Sequence, residues 1–237
     1  MKHKFHDSIL RAYDIRGIVG ETLDAKDSYM LGYKFSSYVS KKGIPPKVVV
    51  GYDGRLSSEL LNKYLIKGLV EGGSKVTSIG LCPSPVLYYS SKVFNSDGAI
   101  MITGSHNPAS YNGFKMLIRG KSLYGNEIIK LANHHTNGLK EKGDIVAYNI
   151  EDSYLAEITK DIKFINSNLK VVWDVGNGAT GNIIKKLVKL LPGKHYLLNA
   201  EVDGTFPSHH PDPTEEKNLK QLKSKISSLH ADVGIAF

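Results

Sequence analysis

Thr103-Gly-Ser-His-Asn-Pro108 brings a hydroxyl, an imidazole and a carboxamide together in six residues, and Lys115 follows ten residues after the serine. A serine in so tight a loop could act as a nucleophile, carry a phosphoryl group or cap a turn. The serine-hydrolase elbow needs G-x-S-x-G, whereas here Gly104 directly precedes Ser105 and His106 directly follows it. Adjacent side chains seldom face each other, so a Ser105–His106 dyad is not expected. Gly104 lets the backbone approach a bulky anion, and Pro108 fixes φ and stops the loop from continuing as a helix. Gly, Ser, Asn and Pro also build ordinary turns, so the loop alone leaves a plain turn open.

What must position this loop is the uncharged run from Ala99 to Ile102, which reads as a strand buried on both faces. In open α/β sheets, ligands bind beyond the carboxyl ends of such strands. Upstream, Asp24 to Val39 reads as a helix and Lys47 to Gly51 as a strand. Ser57 to Glu71 reads as a second helix, with Leu61, Leu65 and Leu69 repeating every four residues. Ser57 or Ser58 is its expected N-cap and Gly72-Gly73 its end. Lys75 to Ile79 then reads as a strand, and Pro83-Ser-Pro85 leads into a helix through about Phe94. This alternation predicts a parallel sheet with right-handed crossovers. Asp53-Gly-Arg55, at the end of a strand, borders the same crevice as the serine loop. Gly113 to Ile118 reads as a strand running back from the site, which brings Lys115 near Ser105. Asn126 to Leu139 reads as a weaker helix, and the polar run 140–149 as a linker, with a domain boundary near Asn149.

Beyond that boundary the pattern restarts with a helix, Glu151 to Ile162, and a strand, Lys170 to Val175. Gly176-Asn-Gly-Ala-Thr-Gly181 then satisfies G-x-G-x-x-G between strand and helix, with Glu201 20 residues on. Alone, this supports dinucleotide binding. Tight α/β turns match the same pattern easily, and too few strands follow to complete a Rossmann sheet. Ser208-His-His-Pro-Asp212 could suggest a metal site, but adjacent histidines between prolines are poorly placed to chelate one ion. They read instead as an ordered loop between domains. Thr214-Glu-Glu is expected to cap a helix through about Leu229, and 231–237 to form a last strand with an uncovered apolar edge.

The 237 residues are 41% apolar and 23% charged, an ordinary globular composition. No apolar run suggests a membrane span. The single cysteine, Cys82, excludes an internal disulfide and fits a reducing compartment, so a cytoplasmic location is expected. A formal net charge of +8 invites a nucleic-acid reading. The lysines, however, are spread along helical stretches (Lys185, Lys186, Lys189, then Lys217, Lys220, Lys223, Lys225) without interleaved aromatics. They read as a solvated face, and neither a nucleic-acid nor a membrane partner is expected.

The loop Thr103–Pro108 with Asn112-Gly-Phe-Lys115 closely resembles the active-site loop of the α-D-phosphohexomutases, the phosphoglucomutase and phosphomannomutase family. Four further blocks agree with it in order and spacing. They are Arg11-Ala-Tyr-Asp-Ile-Arg-Gly17, Gly51-Tyr-Asp-Gly-Arg-Leu-Ser-Ser58, Asp174-Val-Gly-Asn-Gly-Ala179 and Asp203-Gly-Thr-Phe-Pro-Ser-His-His-Pro-Asp-Pro213. One such block could be chance; five in register are specific.

The resemblance implies an α/β fold with mixed, mostly parallel sheets and flanking helices. It implies one complete phosphohexomutase domain with a phosphoserine loop, 1–149, and one truncated domain, 150–237. It implies that phospho-Ser105 gives its phosphoryl group to a hydroxyl of a hexose phosphate, with glucose or mannose 1,6-bisphosphate as activator. Lys115 would serve as acid and base, Arg16 would face the phosphoserine, Tyr13 would line the cleft, and His106 and Asn107 would shape the loop. The glycines of Gly176–Gly181 would then be structural. Mg²⁺ would bind a phosphoserine oxygen at Ser105, but the family's Asp-Gly-Asp-Gly-Asp-Arg metal loop and its third and fourth domains have no counterpart here. The chain is therefore expected to be inactive alone. Three accounts stay open: half of a split enzyme completed by a second polypeptide, a non-catalytic remnant or binding module that still holds anions at the serine loop, or a dinucleotide-binding protein through Gly176–Gly181.

Overall fold

The computed structural model describes residues 3–40, 44–136, 141–162 and 168–237. They form two units, Met1–Ser105 with Ser110–Asn149, and His106–Ala109 with Ile150–Phe237. Among the described residues no helix is long and apolar enough to cross a membrane.

The first unit runs β1 (Ile15–Ile18), α1 (Ala25–Val39), β2 (Lys47–Tyr52), α2 (Ser58–Glu71), β3 (Lys75–Leu81), α3 (Ser84–Val93) and β4 (Gly98–Ile102). It continues with β5 (Tyr111–Ile118), β6 (Lys121–Ser122), α4 (Asn126–Ala132) and β7 (Ile145–Ala147). The sheet order is β1-β5-β4-β2-β3-β7, with β6 paired to β5. Strands β4, β2, β3 and β7 run parallel, and β5 alone is antiparallel to both of its neighbours, β4 and β1. The fold is mixed α/β with a mostly parallel sheet and flanking helices.

Burial follows the apolar pattern. All five residues of β4 are buried, and Leu31, Phe35, Leu61, Leu65 and Leu69 meet Val48, Val50, Ile100, Ile102 and Phe114 in one core. Helices α1 and α2 touch backbone to backbone: a Cβ on Gly68 would lie 2.0 Å from Tyr29 O, and one on Gly32 would lie 2.3 Å from Leu65 O. Asp24 starts α1 with a capping box, accepting from the Lys26 and Asp27 amides while Asp27 accepts from the Asp24 amide. The buried Lys34 ammonium closes α4 by donating to Ala132 O at 2.6 Å and His134 O at 3.1 Å.

Several local expectations change. The run 140–149 is more than a linker, because Ile145–Ala147 forms β7 against β3. Its three residues are apolar but exposed, so backbone pairing rather than side-chain burial holds this edge strand. Residues of the Arg11–Gly17 block extend into β1, which pairs Arg16 with Gly113. Ser57 stands at the N-cap of α2 without capping it, because its hydroxyl accepts from Asn112 Nδ2 at 2.9 Å. Helix α4 ends at Ala132, seven residues before Leu139; residues 137–139 of the expected helix lie outside the described residues.

The second unit contains α5 (Glu151–Thr159), β8 (Lys170–Asp174), α6 (Gly181–Leu187), β9 (Lys194–Leu198), α7 (Lys220–Leu229) and β10 (Val233–Ala236). Its sheet has the order β10-β8-β9, all parallel, over a core of Val171, Trp173, Val175 and Ile184. Helix α7 begins later than expected. Thr214 bonds Asp212 Oδ1 through both its amide and its hydroxyl, and a 3-10 turn, Glu216–Leu219, precedes the helix. The lysines pair with neighbouring carboxylates: Lys186 with Glu151 and Asp152, Lys223 with Glu216.

Candidate active site

Strand β4 delivers the serine loop and β2 delivers its support. Asp53 N donates to Ile102 O at 2.9 Å, so the two strand ends stay side by side as the chains leave the sheet. Thr103 N donates to Gly113 O at 3.0 Å, tying the loop's start to β5. Between these anchors Ser105 adopts φ +53°. A left-handed serine is uncommon and persists where its surroundings hold it.

The loop's carbonyls are held by two buried guanidinium groups. Arg16 Nη1 donates to Gly104 O at 2.6 Å, and Arg55 Nη2 donates to Ser105 O at 2.8 Å. Arg55 Nη1 also donates to Tyr111 O at 3.1 Å, across the loop. The amides are held too: Gly104 N donates to Asp53 Oδ2 at 3.1 Å, and Ser105 N to Thr103 Oγ1 at 2.9 Å. Among the described residues no hydrogen bond occupies the Ser105 hydroxyl, and the residue is held through its carbonyl and its amide.

Each arginine carries a carboxylate, Arg16 with Asp14 and Arg55 with Asp53 at 3.2 Å. Burial lowers the Arg55 pKa below its ordinary value, the Asp53 carboxylate opposes that, and the nearby Arg16 charge adds to it. Asp53 is fully engaged, accepting also from the Arg55 amide at 3.1 Å and from Ser58 Oγ at 2.6 Å. Lys115 lies opposite Met101 in the β4–β5 ladder, so it shares that residue's sheet face. Among the described residues Lys115 makes no ion pair. Arg16 and Arg55 thus bring two cations to the loop, each with its own carboxylate, Asp14 and Asp53, and Lys115 stands further along the ladder opposite Met101.

Of the residues singled out in sequence, Arg16 and Ser105 meet through Gly104, and Lys115 lies two ladder positions from Gly113. Tyr13 is 80% exposed. His106 and Asn107 belong to the second unit, where His106 Nδ1 lies 3.0 Å from Pro211 O. Sequence reasoning placed Asp53-Gly-Arg55 beside the crevice but gave it no role. The block Gly51–Ser58 was the available signal; its function depends on contacts 50 and 51 residues away.

The residues do not make a Mg²⁺ site by themselves. Among the described residues no group of three His, Cys, Asp or Glu could hold a metal, and Asp14 and Asp53 are committed to arginines. His209 is turned to structural use, its Nε2 3.1 Å from the buried Asp174 Oδ2 and its Nδ1 2.9 Å from His210 O. The Gly176–Gly181 loop is also explained by packing. A Cβ on Gly181 would lie 2.2 Å from Ala200 O, Gly176 N donates to Asp174 Oδ1 at 3.1 Å, and Glu201 pairs with Lys185 at 2.6 Å.

Comparison with known proteins agrees along the chain. The family model for phosphoglucomutase/phosphomannomutase alpha/beta/alpha domain I matches residues 7–141, and that for domain II matches residues 152–237. A phosphomannomutase/phosphoglucomutase of Pseudomonas putida is 45% identical over 233 residues, covering 98% of this chain and 50% of the relative. A phosphoglucomutase of Neisseria meningitidis is 38% identical over 97% of this chain and 50% of its own length. The crystal structure of a phosphoglucomutase/phosphomannomutase family protein from Burkholderia thailandensis superposes with a TM-score of 0.90 at 38% identity, covering 98% of this chain and 53% of that one. The chain spans about half the length of the curated relatives it matches. With both domain models matched in order and the serine loop at the end of β4, the chain belongs to the phosphoglucomutase/phosphomannomutase family.

Proposed function

We propose that this chain carries the phosphoserine portion of a hexose-phosphate mutase, with Ser105 as the phosphoryl carrier. The observation that carries the reading is the left-handed Ser105, gripped through its main chain while two buried arginines hold the carbonyls of Gly104 and Ser105. The names of the relatives supply the substrate class, a hexose phosphate. In transfer, the sugar hydroxyl oxygen bonds to phosphorus as the Ser105 Oγ–P bond breaks, and the hydroxyl proton passes by way of Lys115 to Ser105 Oγ. Arg16 and Arg55 keep positive charge beneath the loop, where charge stabilisation and positioning make up most of phosphoryl-transfer catalysis. His106 and Asn107 shape the loop, and Tyr13, exposed, is available to a sugar.

Phosphorylated Ser105 would give Mg²⁺ one oxygen, and a Mg²⁺ site ordinarily adds carboxylates. Those ligands and the sugar-reading surface are assigned to chain outside these 237 residues, on a further segment or a second polypeptide. Turnover by these residues alone should accordingly fall on the order of 10³-fold or more below that of a full-length relative. The single buried thiol, Cys82, suits a reducing cytoplasm.

The test is intact mass and peptide mapping after incubation with glucose or mannose 1,6-bisphosphate. Phosphate should appear on Ser105 and vanish in Ser105→Ala. Label on another serine, or undiminished label in the variant, would remove the carrier assignment.

A further inference from the structure

We infer that Arg55 is a positioning residue for Ser105, holding the left-handed backbone that presents the hydroxyl. The inference rests on the reading of Ser105 as phosphoryl carrier and adds a residue to it.

A left-handed serine is strained and persists only where its neighbours over-determine it. Arg55 is the neighbour placed to do so. Its side chain is fully buried, and its planar fork reaches three acceptors: Ser105 O at 2.8 Å, Tyr111 O at 3.1 Å and Asp53 Oδ2 at 3.2 Å. The first two lie on either side of the excursion from 105 to 111, so one rigid group spans the loop at its base. Lysine cannot reproduce this, since its donors radiate from a single nitrogen.

Gly104 shows how closely the loop lies on this group. A Cβ there would fall 2.2 Å from Arg55 Nε and 2.3 Å from Cζ, so any side chain at 104 must displace the guanidinium. Gly104 has no left-handed φ among the described glycines, so contact with Arg55, not backbone conformation, is what excludes a larger residue. Arg55 and Gly104 are a matched pair. Asp53 completes the arrangement, holding both Arg55 Nε and the Gly104 amide.

The experiment compares the full 237-residue chain with Arg55→Ala, Arg55→Lys, Gly104→Ala and the double variant Arg55→Ala/Gly104→Ala. Two quantities are read: the rate at which glucose 1,6-bisphosphate labels Ser105, by intact mass, and hydrogen exchange of peptides covering 103–111 against those covering β2 and β4. Misplacement of a reacting group by about 1 Å costs roughly 10²-fold, and Arg55→Ala should slow labelling by about that factor. Its loop should exchange faster while β2 and β4 keep their protection. Millimolar guanidinium ion should recover part of the rate in Arg55→Ala and none in Arg55→Lys. Gly104→Ala should slow labelling in the wild-type background but add nothing to Arg55→Ala.

Labelling at the wild-type rate in Arg55→Ala, with unchanged loop exchange, overturns the inference. So does full additivity of the two substitutions. If the wild-type chain takes no label, the carrier reading fails by itself, and loop exchange in Arg55→Ala then decides the positioning role alone. If Arg55→Ala does not fold, Arg55→Lys and Gly104→Ala decide by the same two readouts, and wild-type labelling and loop exchange in both would overturn it.

Discussion

Asp53 Oδ2 accepts the Gly104 N–H at 3.1 Å, so the loop that carries Ser105 is fastened sideways to the end of β2 as well as to its own strand. One carboxylate at the end of β2 thereby sets both the loop's amide and the arginine beneath it. Removing it should leave Arg55, fully buried, without its counter-charge. Breaking a buried pair by deleting one partner costs about 3–5 kcal/mol, and Asp53→Ala should lose about 3 kcal/mol in urea unfolding followed by circular dichroism. A loss under about 1 kcal/mol would mean that solvent or another group replaces the carboxylate.

The α1–α2 contact makes a second prediction. A Cβ at Gly68 would meet Tyr29 O at 2.0 Å, and neither partner is a flexible side-chain end that could swing away. The helices must separate, and overpacking of this kind costs about 1–3 kcal/mol. Gly68→Ala should lower the unfolding midpoint accordingly, whereas Lys63→Ala, at an exposed position of α2, should change it little. Equal midpoints for Gly68→Ala and wild type would contradict the contact.

His134 gives the fold an acid sensitivity. Burial first, then Lys34 and His135, lowers its pKa from the ordinary 6.5. A depressed folded value means that its contribution is fully present above pH 6.5 and is lost as pH falls through the folded value. Stability measured from pH 7 downward should therefore decline below 6.5, and His134→Gln should flatten that part of the profile. An imidazole NMR titration of His134 with a midpoint at or above 6.5 would refute the sign.

The two units should differ in local stability. The first core gathers large buried side chains such as Phe35, Leu31 and Phe114, whereas the second has Val171, Trp173, Val175 and Ile184 as its buried cluster. Opening free energy follows buried apolar contact, so amides of β8 and β10 should exchange at lower free energy than those of β2 and β4. Limited proteolysis should cut first beyond Glu151 and leave a fragment ending near Asn149. Uniform protection across both sheets would count against this.

The sequence by itself determined the features that depend on near neighbours. Ala99 to Ile102 carries no polar side chain, so it had to be a buried strand, and Leu61, Leu65 and Leu69 at four-residue spacing had to face the core. Gly104 and Pro108 announced a tight loop at the strand's end, and five blocks in register announced the family. Local chemistry could not say which residues would hold that loop. Arg55 reaches Ser105 O and Asp53 reaches Gly104 N across 50 and 51 residues, and a charged side chain bonding a backbone carbonyl leaves no periodic trace. The strand Ile145–Ala147 was hidden for a related reason, because three apolar residues in a polar stretch are too short a pattern to read, and the strand is held by backbone pairing to β3. Ser57 looked like a cap until folding brought Asn112 to its hydroxyl. Propensity and hydrophobic period act over a few residues, whereas these hydrogen bonds exist only once separate elements have packed.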